Sequence, residues 1–248
     1  MALFSVLMST FECWGAGPDF TRQHLQSIVD QTHRPLQCVI SDHSKDDEIE
    51  KVVKSIDPKG VDVIYVRFDR DYGNPASNWN NALAQATGEY LQYVSMDDWY
   101  HDPTAIERMV AFFDENKDVE WAAVPEIVQP GDRLFYPWWP DQYVLNENTL
   151  GGPGAVIFRS SLRDVKWEER LIYFADDEWY YRMFVAAKKP PYLYKGPAVY
   201  TCRHHPFQQQ KVRGSDVQMR DLDMIMSIYG TFRPNHDTIS SPKDGGAK

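Results

Sequence analysis

The sequence predicts an α/β fold in which a mostly parallel sheet carries helices on both faces. Apolar runs of strand length alternate with segments whose apolar residues recur at helical spacing throughout the first half of the chain. Chains with this alternation form strand–helix–strand units, which pair their strands in parallel. Hydrophobic residues make up 43% of the 248 residues and aromatic residues 14%, which is enough to build a substantial core.

The first half of the chain contains four predicted strands and the helices that connect them. The strands are predicted at 3–8, 36–41, 61–66 and 89–94, and the connecting helices at 21–31, 46–56 and 75–87. Gly88 follows the third helix in the position of a C-cap. A further helix opens at Asp102-Pro103-Thr104, because an apolar stripe with helical spacing follows it.

The second half of the chain has a less regular pattern. Strands are predicted at 120–128 and 155–158, a helix at 176–187, a strand or extended segment at 192–201, and an aromatic loop at 135–143. We expect residues 1–235 to form a single domain. Residues 236–248 are polar and rich in glycine, so we expect a disordered tail there.

Composition excludes several classes of protein. The net charge is −10 and the isoelectric point is near 5.1, which argues against a nucleic-acid-binding surface. Cys13, Cys38 and Cys202 are odd in number and fit no zinc spacing, so we expect free thiols. No apolar run approaches the ~20 residues of a transmembrane helix, and no secretory signal is visible. These features predict a cytoplasmic protein.

Polar residues follow each of the four predicted strands. They are Ser9-Thr10, Ser41-Asp42, Arg67, and Ser95 to Asp98. Ligands of parallel sheets bind beyond the carboxyl ends of the strands, so we expect these residues to converge on one rim. Asp97 and Asp98 would then form a hard oxygen site that can hold a divalent cation, and the cation can hold a diphosphate. The alternative is an exposed acidic turn.

Several sequence segments together resemble family 2 glycosyltransferases of the GT-A fold. The resemblance covers about Phe4 to Gln208 and rests on their order and spacing. The segments are Ser5-Val6-Leu7-Met8-Ser9-Thr10, Leu25-Gln26-Ser27-Ile28, Val39-Ile40-Ser41-Asp42, Asn78-Trp79-Asn80-Asn81-Ala82-Leu83, Gly152-Pro153, Asp176 with Arg182, and Arg203-His204-His205-Pro206-Phe207-Gln208. The chain departs from the family at two positions, where Ser95 and Ala175 replace residues that are often acidic.

The resemblance implies a metal-dependent, inverting transfer of a sugar from a nucleotide-diphosphate donor. A UDP- or dTDP-sugar is the expected donor, and a glycan or another hydroxyl is the expected acceptor. Residues 1–100 are expected to form the nucleotide-sugar-binding half and residues 101–235 the acceptor-binding half. The expected cofactor is Mn²⁺ or Mg²⁺. The sequence predicts no oligomeric state.

The resemblance also implies roles for the donor-site residues. Asp97 and Asp98 are expected to hold the metal, with His205 approaching it from a C-terminal segment. The remaining expected nucleotide-sugar contacts are Thr10, Glu12, Asp42, Asn78, Asn80, Ser95 and Asp97, with Asp42 accepting a hydrogen bond from the base. Each has an alternative: a structural histidine at 205, an Asx turn at Asp42, an ordinary turn at 10–12, and helix capping by Asn78 or Asn80.

Asp176 and Asp177 are the candidate catalytic bases, with Asp176 preferred. Inverting transfer requires one carboxylate to take the proton from the acceptor hydroxyl as it attacks. A single base is enough when a metal stabilises the departing nucleoside diphosphate. The alternative is that both residues only stabilise the N-terminus of the helix that they open.

Two other functions are compatible with parts of the sequence. A nucleotidyltransferase would share the nucleotide-binding half, but it usually needs a basic, glycine-rich loop near the N-terminus, where this chain has Glu12 and Cys13. A non-catalytic nucleotide- or sugar-binding module would keep the fold without the base.

The aromatic loop has two possible roles. We expect it either to stack on an acceptor sugar or to form a hydrophobic plug, through Trp138, Trp139 and Tyr143, and the plug is preferred.

Overall fold

The computed structural model describes residues 1–208, 211 and 214–234, and the strands in these ranges form two sheets. The expected disordered tail at 236–248 lies outside the described residues. The strands are β1 (Phe4–Thr10), β2 (Leu36–Asp42), β3 (Asp62–Arg67), β4 (Tyr90–Ser95), β5 (Trp99–Tyr100), β6 (Trp121–Ala123), β7 (Glu126–Gln129), β8 (Arg133–Phe135), β9 (Val156–Arg159), β10 (Tyr192–Leu193) and β11 (Tyr200–Arg203). The helices are α1 (Gly17–Val29), α2 (Glu48–Ser55), α3 (Pro75–Gln85), α4 (Ala105–Glu115), α5 (Ala175–Ala187) and α6 (Ser215–Tyr229).

The central sheet has seven strands in the order β10-β6-β9-β4-β1-β2-β3. β1 pairs in parallel with both β2 and β4, and β2 pairs in parallel with β3. β9 is antiparallel to β4 and to β6. The prediction of a mostly parallel sheet is therefore confirmed, and the four strands of the first half occupy neighbouring positions in it.

Helices cover both faces of the central sheet. Val6 and Met8 of β1 point to one face, where they pack in a core that includes the apolar residues of α1 and α4. Leu7 lies between them in sequence and points to the other face, into a core with α3 and α5. The alternation follows from the two-residue period of a strand. The α/β layering predicted from the sequence is confirmed.

The second sheet has four short strands in the order β5-β11-β7-β8. The strand predicted at 120–128 is wrong as one element, because β6 belongs to the central sheet and β7 to the small one. Pro125 lies between them, and proline has no N–H to continue a ladder. The segment at 192–201 divides in the same way into β10 and β11. The small sheet thus joins segments that leave the central sheet.

Helix α1 begins earlier than the periodicity predicted, at Gly17 instead of residue 21. Pro18 stands in its first turn, where a missing N–H costs nothing. A Cβ on Gly17 would lie 2.2 Å from the carbonyl oxygen of Phe11, so only glycine fits at this tight entry into the helix. Within the part of the chain that the structure describes, no helix has the length and apolar character needed to cross a membrane.

Candidate active site

The carboxyl ends of three neighbouring strands form one rim of a cleft. Thr10, Asp42 and Ser95 are the last residues of β1, β2 and β4, and β1 lies between the other two. A cleft of about 950 Å³ opens beyond this rim. The predicted site residues that line it are Thr10, Glu12, Asn78, Ser95, Asp97, Asp98, Asp176 and His205.

Asp97 and His205 meet in this cleft although they are 108 positions apart in sequence. The Nε2 atom of His205 lies 2.7 Å from Oδ2 of Asp97. The His205 ring packs against Phe20 of α1, with ring centroids 4.8 Å apart. The C-terminal segment therefore brings an imidazole nitrogen to the carboxylate that follows β4.

Asp98 is buried and anchors the strand that leads to His205. Its Oδ1 accepts a hydrogen bond of 2.8 Å from the backbone N–H of Arg203. Burial, with a smaller effect of the neighbouring Asp97, raises the pKa of Asp98 well above its usual range. The Arg203 side chain donates to the Asp97 carbonyl (2.8 Å) and stacks between Phe20 and Trp99.

The fit of a metal depends on the chemistry of these donors. Among the described ranges, no group of three or more His, Cys, Asp or Glu side chains is arranged to hold a metal ion. Asp97 and His205 offer a carboxylate oxygen and an imidazole nitrogen at one point. Mg²⁺ is usually held by one or two carboxylates together with substrate phosphates. The residues therefore fit a cation that diphosphate oxygens complete, and they do not form a closed protein cage.

Asp42 is fully buried in the wall behind the rim, and it does not itself line the cleft. Its Oδ1 accepts from the Thr10 hydroxyl (3.1 Å) and from the backbone and hydroxyl of Ser44 (3.0 and 2.6 Å). Its Oδ2 accepts from the Tyr65 hydroxyl (2.6 Å). The Asx-turn alternative for Asp42 is thus present, and the next residue, His43, lines the cleft.

Asn78 and Asn80 lie on different sides of α3. Asn78 lines the cleft and donates from Nδ2 to the carbonyl of Thr10 at 3.1 Å. Asn80 instead donates to the Trp167 carbonyl at 3.0 Å and accepts from its N–H at 2.9 Å. The capping alternative is wrong for both, because Asn74 caps the helix through Oδ1. The signal for Asn74 was present, since asparagine directly before Pro75 is typical of a helix start.

Ser95 and Glu12 also line the cleft, and each is hydrogen-bonded to another residue. The Ser95 carbonyl accepts a 2.8 Å hydrogen bond from Nδ1 of His24. Burial lowers the pKa of His24 to about 4, so this support is a neutral ring. Glu12 accepts from the Tyr72 hydroxyl through Oε1, while its Oε2 is buried without a partner in the described chain.

Asp176 and Asp177 differ in their access to the cleft. Asp176 is half-buried and lines it. Its Oδ2 accepts from Nδ2 of Asn148 at 2.8 Å, and its Oδ1 accepts from the backbone N–H of Asp177 at 3.1 Å. Burial raises the pKa of Asp176 to about 6. Asp177 is only 3% exposed and does not line the cleft. Burial and the charge of Asp176 raise the pKa of Asp177 well above its usual range.

The aromatic loop divides between core and surface. Tyr143 is fully buried, and Trp139 stacks on it with ring centroids 4.7 Å apart, as the plug alternative predicts. Trp138 is 51% exposed. Two other aromatic stacks line the cleft: Trp14 with Phe207 at a centroid distance of 5.9 Å, and Trp79 with Trp167 at 4.7 Å.

Three further residues shape the site, although the sequence pattern does not predict them. Asn148 holds Asp176, and Glu126 on β7 places a buried carboxyl in the lining. Asp221 on α6 accepts hydrogen bonds from the backbone that leads into α5. Each acts across a long sequence separation, so no local pattern marks them.

Comparisons with known proteins agree with this architecture. A crystal structure of Staphylococcus aureus TarS residues 1–349 in complex with UDP-GlcNAc superposes with a TM-score of 0.69 at 18% identity, covering 91% of this chain and 67% of that one. The mannosyltransferase PcManGT from Pyrobaculum calidifontis, solved with GDP-Man and Mn²⁺, gives a TM-score of 0.57 at 14% identity, covering 82% and 56%. The expected GT-A fold is confirmed by these matches.

Curated relatives match at the level of sequence. An uncharacterized glycosyltransferase of Methanocaldococcus jannaschii is 22% identical over 193 residues, which is 73% of this chain and 64% of the relative. The GalNAc(5)-diNAcBac-PP-undecaprenol beta-1,3-glucosyltransferase of Campylobacter jejuni is 33% identical over 87 residues, 33% of this chain and 28% of the relative. The chain spans less than two thirds of the length of these curated relatives.

A family model also covers most of the chain. The model described as Glycosyl transferase family 2 matches residues 5–188. The matched range contains the residues of the strand-end rim and two pairs of carboxylates. The first pair, Asp97 and Asp98, follows β4, and the second pair, Asp176 and Asp177, lies at the start of α5. His205 lies beyond it. The chain belongs to glycosyl transferase family 2.

Proposed function

We propose that this chain is a metal-dependent, inverting glycosyltransferase that takes a sugar from a UDP- or dTDP-sugar and passes it to a carbohydrate hydroxyl. The observation that carries the proposal is that the Asp97–His205 pair and Asp176 line one cleft. The first is suited to the diphosphate end of a donor and the second to the incoming hydroxyl. The UDP-GlcNAc bound by TarS and the GDP-Man and Mn²⁺ bound by PcManGT support the same class of donor.

The acidity of the cleft supports the need for a cation. Five carboxyl side chains line it, those of Glu12, Asp97, Asp98, Glu126 and Asp176, together with the basic Lys45 and Arg133. A diphosphate placed beside the Asp97 carboxylate would be repelled by it unless a cation came between them. A divalent ion held by Asp97 and His205 would supply Lewis-acid stabilisation of the departing nucleoside diphosphate.

Asp176 performs the proton transfer in this proposal. The acceptor hydroxyl oxygen forms a bond to the anomeric carbon while the bond from that carbon to the diphosphate oxygen breaks. The hydroxyl proton passes to a carboxylate oxygen of Asp176, and the electron pair leaves with the diphosphate. A pKa of about 6 leaves this carboxyl ionised at neutral pH and able to take the proton. Asn148 holds one of its oxygens in place.

The two halves of the chain contribute different parts of this site. Residues 1–100 provide the strand-end rim with Thr10, Asn78 and Asp97, and we assign the nucleotide to this half. Residues 101–235 provide Asp176 and His205, and we assign the acceptor to it. His205 is the point at which the second half reaches the donor.

Thermal unfolding with nucleotides tests the proposal. Ligands that bind only the folded state raise its stability by RT ln(1 + [L]/Kd), about 2.7 kcal/mol at a hundredfold excess over Kd. We expect UDP or dTDP and their sugars to raise the melting temperature with Mn²⁺, and EDTA to remove most of the shift. Asp97→Ala should lose the shift, while the exposed Asp118→Ala should keep it. The absence of a shift with every nucleotide would contradict the proposal.

A further inference from the structure

Glu126 is a buried carboxyl that the mechanism above does not use. Its side chain is 4% exposed, and it lines the cleft from the first position of β7. Its Oε2 is buried and has no hydrogen-bond partner among the described residues. Buried polar groups are almost always paired, so a carboxyl without a partner in a ligand cleft requires an explanation.

The position of Glu126 is between the two functional ends of the cleft. On one side β7 pairs with β11, the strand that leads to His205, and Glu126 lies opposite Tyr200 of that strand. On the other side is Gly151, where an added Cβ would lie 2.9 Å from Oε1 of Glu126. Asn148 donates both to the Gly151 carbonyl (3.0 Å) and to Asp176 (2.8 Å), so this turn is hydrogen-bonded to the base.

The reacting sugar must occupy the same interval. The anomeric carbon has to lie between the diphosphate, at Asp97, and the acceptor hydroxyl, at Asp176. The ring attached to that carbon therefore passes the part of the lining where Glu126 lies. Sugars offer hydroxyl donors, and a carboxyl group offers two acceptor oxygens.

We propose that Glu126 binds a hydroxyl group of the transferred sugar and so discriminates between donor sugars. The inference rests on the proposed function. It explains why Oε2 of Glu126 is buried without a hydrogen-bond partner among the described residues, since its partner would arrive with the donor. Burial raises the pKa of Glu126 to about 7. Gly151 has a φ of +93°, which side-chain-bearing residues rarely adopt, and a Cβ there would also lie 2.9 Å from Oε1.

Calorimetric titration can measure how much the sugar contributes to the free energy of donor binding. The probes are UDP-glucose, UDP-galactose, UDP-N-acetylglucosamine, dTDP-glucose and GDP-mannose with Mn²⁺, each compared with its own nucleoside diphosphate. We expect the wild type to prefer one sugar over the others. Glu126→Gln should weaken that preference about tenfold, since the amide replaces one acceptor oxygen with an N–H donor and leaves a sugar hydroxyl without its acceptor. The Kd of the bare nucleoside diphosphate should change by less than about twofold.

Two further variants keep the test decisive. Glu126→Asp keeps the charge but withdraws the oxygens by one methylene, and it should lose part of the preference. Glu115→Gln makes the same chemical change at an exposed position and should behave as the wild type. Wild-type preference in both Glu126 variants would overturn the inference while leaving the proposed function in place. If the wild type binds no nucleoside diphosphate, the proposed function fails and the inference fails with it.

Discussion

Neighbouring carboxylates in this chain have different surroundings, and the surroundings separate their roles. Asp176 is held by Asn148 and opens on the cleft, while Asp177 is 3% exposed and turned away from it. Asp97 touches His205, while Asp98 is bound to the backbone of Arg203. In each pair the second residue is the more deeply buried, and Oδ1 of Asp177 has no hydrogen-bond partner among the described residues.

Asp176→Asn should abolish turnover without loss of nucleotide binding. An amide of the same shape cannot take the proton, and losses of about 10²–10⁴-fold are typical of a removed general base. In the wild type, the rate should rise with pH through about 6 and then level off, because only the ionised carboxyl accepts a proton. Release of nucleoside diphosphate from the donor, measured against pH, checks both expectations.

Asp177→Asn is the matched control for this prediction. It makes the same change one residue later, at a side chain that does not line the cleft. We expect it to retain the pH dependence of the wild type even if its stability changes. Equal loss of turnover in both variants would point to a structural effect at the start of α5, and unchanged turnover in Asp176→Asn would exclude it as the base.

Glu126 should make the stability of the unliganded protein depend on pH. Its pKa is about 7 in the folded state against an ordinary value near 4.5, so the folded state holds its proton over a range in which the unfolded state has lost it. Stability from this group is therefore full below about pH 4.5 and is lost as the pH rises through about 7. The difference in pKa corresponds to about 3 kcal/mol.

Urea unfolding of Glu126→Gln and the wild type at several pH values measures this contribution. Glutamine does not titrate, so the variant should gain about 3 kcal/mol on the wild type between pH 4.5 and pH 8. The exposed Glu115→Gln should gain nothing over the same range. A constant difference between Glu126→Gln and the wild type would show that the carboxyl has an ordinary pKa.

At the scale of elements, a buried carboxylate of α6 binds the backbone that leads into α5. Oδ2 of Asp221 accepts from the backbone N–H groups of Ile172 (2.8 Å), Tyr173 (2.5 Å) and Phe174 (3.3 Å), directly before α5. Arg220 donates to the other oxygen at 2.8 Å. The side chain is fully buried, so water cannot replace it. Helix α6 thus fixes the entry into the helix that carries Asp176.

Asp221→Ala should destabilise the protein by about 3 kcal/mol. The substitution leaves three backbone N–H groups without their acceptor, and unpaired buried donors cost about 1–3 kcal/mol each before relaxation. Asp221→Asn keeps an acceptor oxygen and should cost less. Chemical denaturation measures both, with the exposed Asp223→Ala on the same helix as the control. Equal stability of Asp221→Ala and Asp223→Ala would contradict the role assigned to this side chain.

The small sheet is the other element that assembles the site. β7 carries Glu126 and β11 leads to His205, and the two strands pair in parallel. Both continue from segments that begin in the central sheet, where β6 and β10 are also paired. The chain thus passes from the central sheet to the small sheet twice, once between β6 and β7 and once between β10 and β11. These two passages bring Glu126 and His205 to the cleft at the ends of the first-half strands.

At the scale of the whole molecule, the charge of the chain and of its cleft favours a ligand that binds together with a cation. The chain has a net charge of −10, and its cleft is itself lined by carboxylates. Buried Asp98 and Glu126 have raised pKa values because burial disfavours their charged forms. A cation bound with a diphosphate would offset the negative charge of the cleft. We therefore expect the affinity for nucleotide to depend on the metal ion, and the affinity for the metal ion to depend on the nucleotide.

The sequence by itself determined the layered α/β architecture and the edge of the sheet at which the site lies. Both follow from local patterns: apolar periodicity defines the strands and helices, and parallel strands end at one edge. Asp97, Asp98 and Asp176 could be named because each follows or opens a predicted element. Family resemblance added His205, which periodicity alone does not mark.

Only the tertiary structure decided which polar side chains face the cleft. Asn80 turns to Trp167, 87 positions away, and Asp42 is saturated by the wall residues around it. Glu126 reaches the cleft because Pro125 separates β6 from β7, which the sequence pattern predicts as a single strand. Such outcomes depend on contacts between segments distant in sequence, and local periodicity records which residues are buried but not which partners they meet.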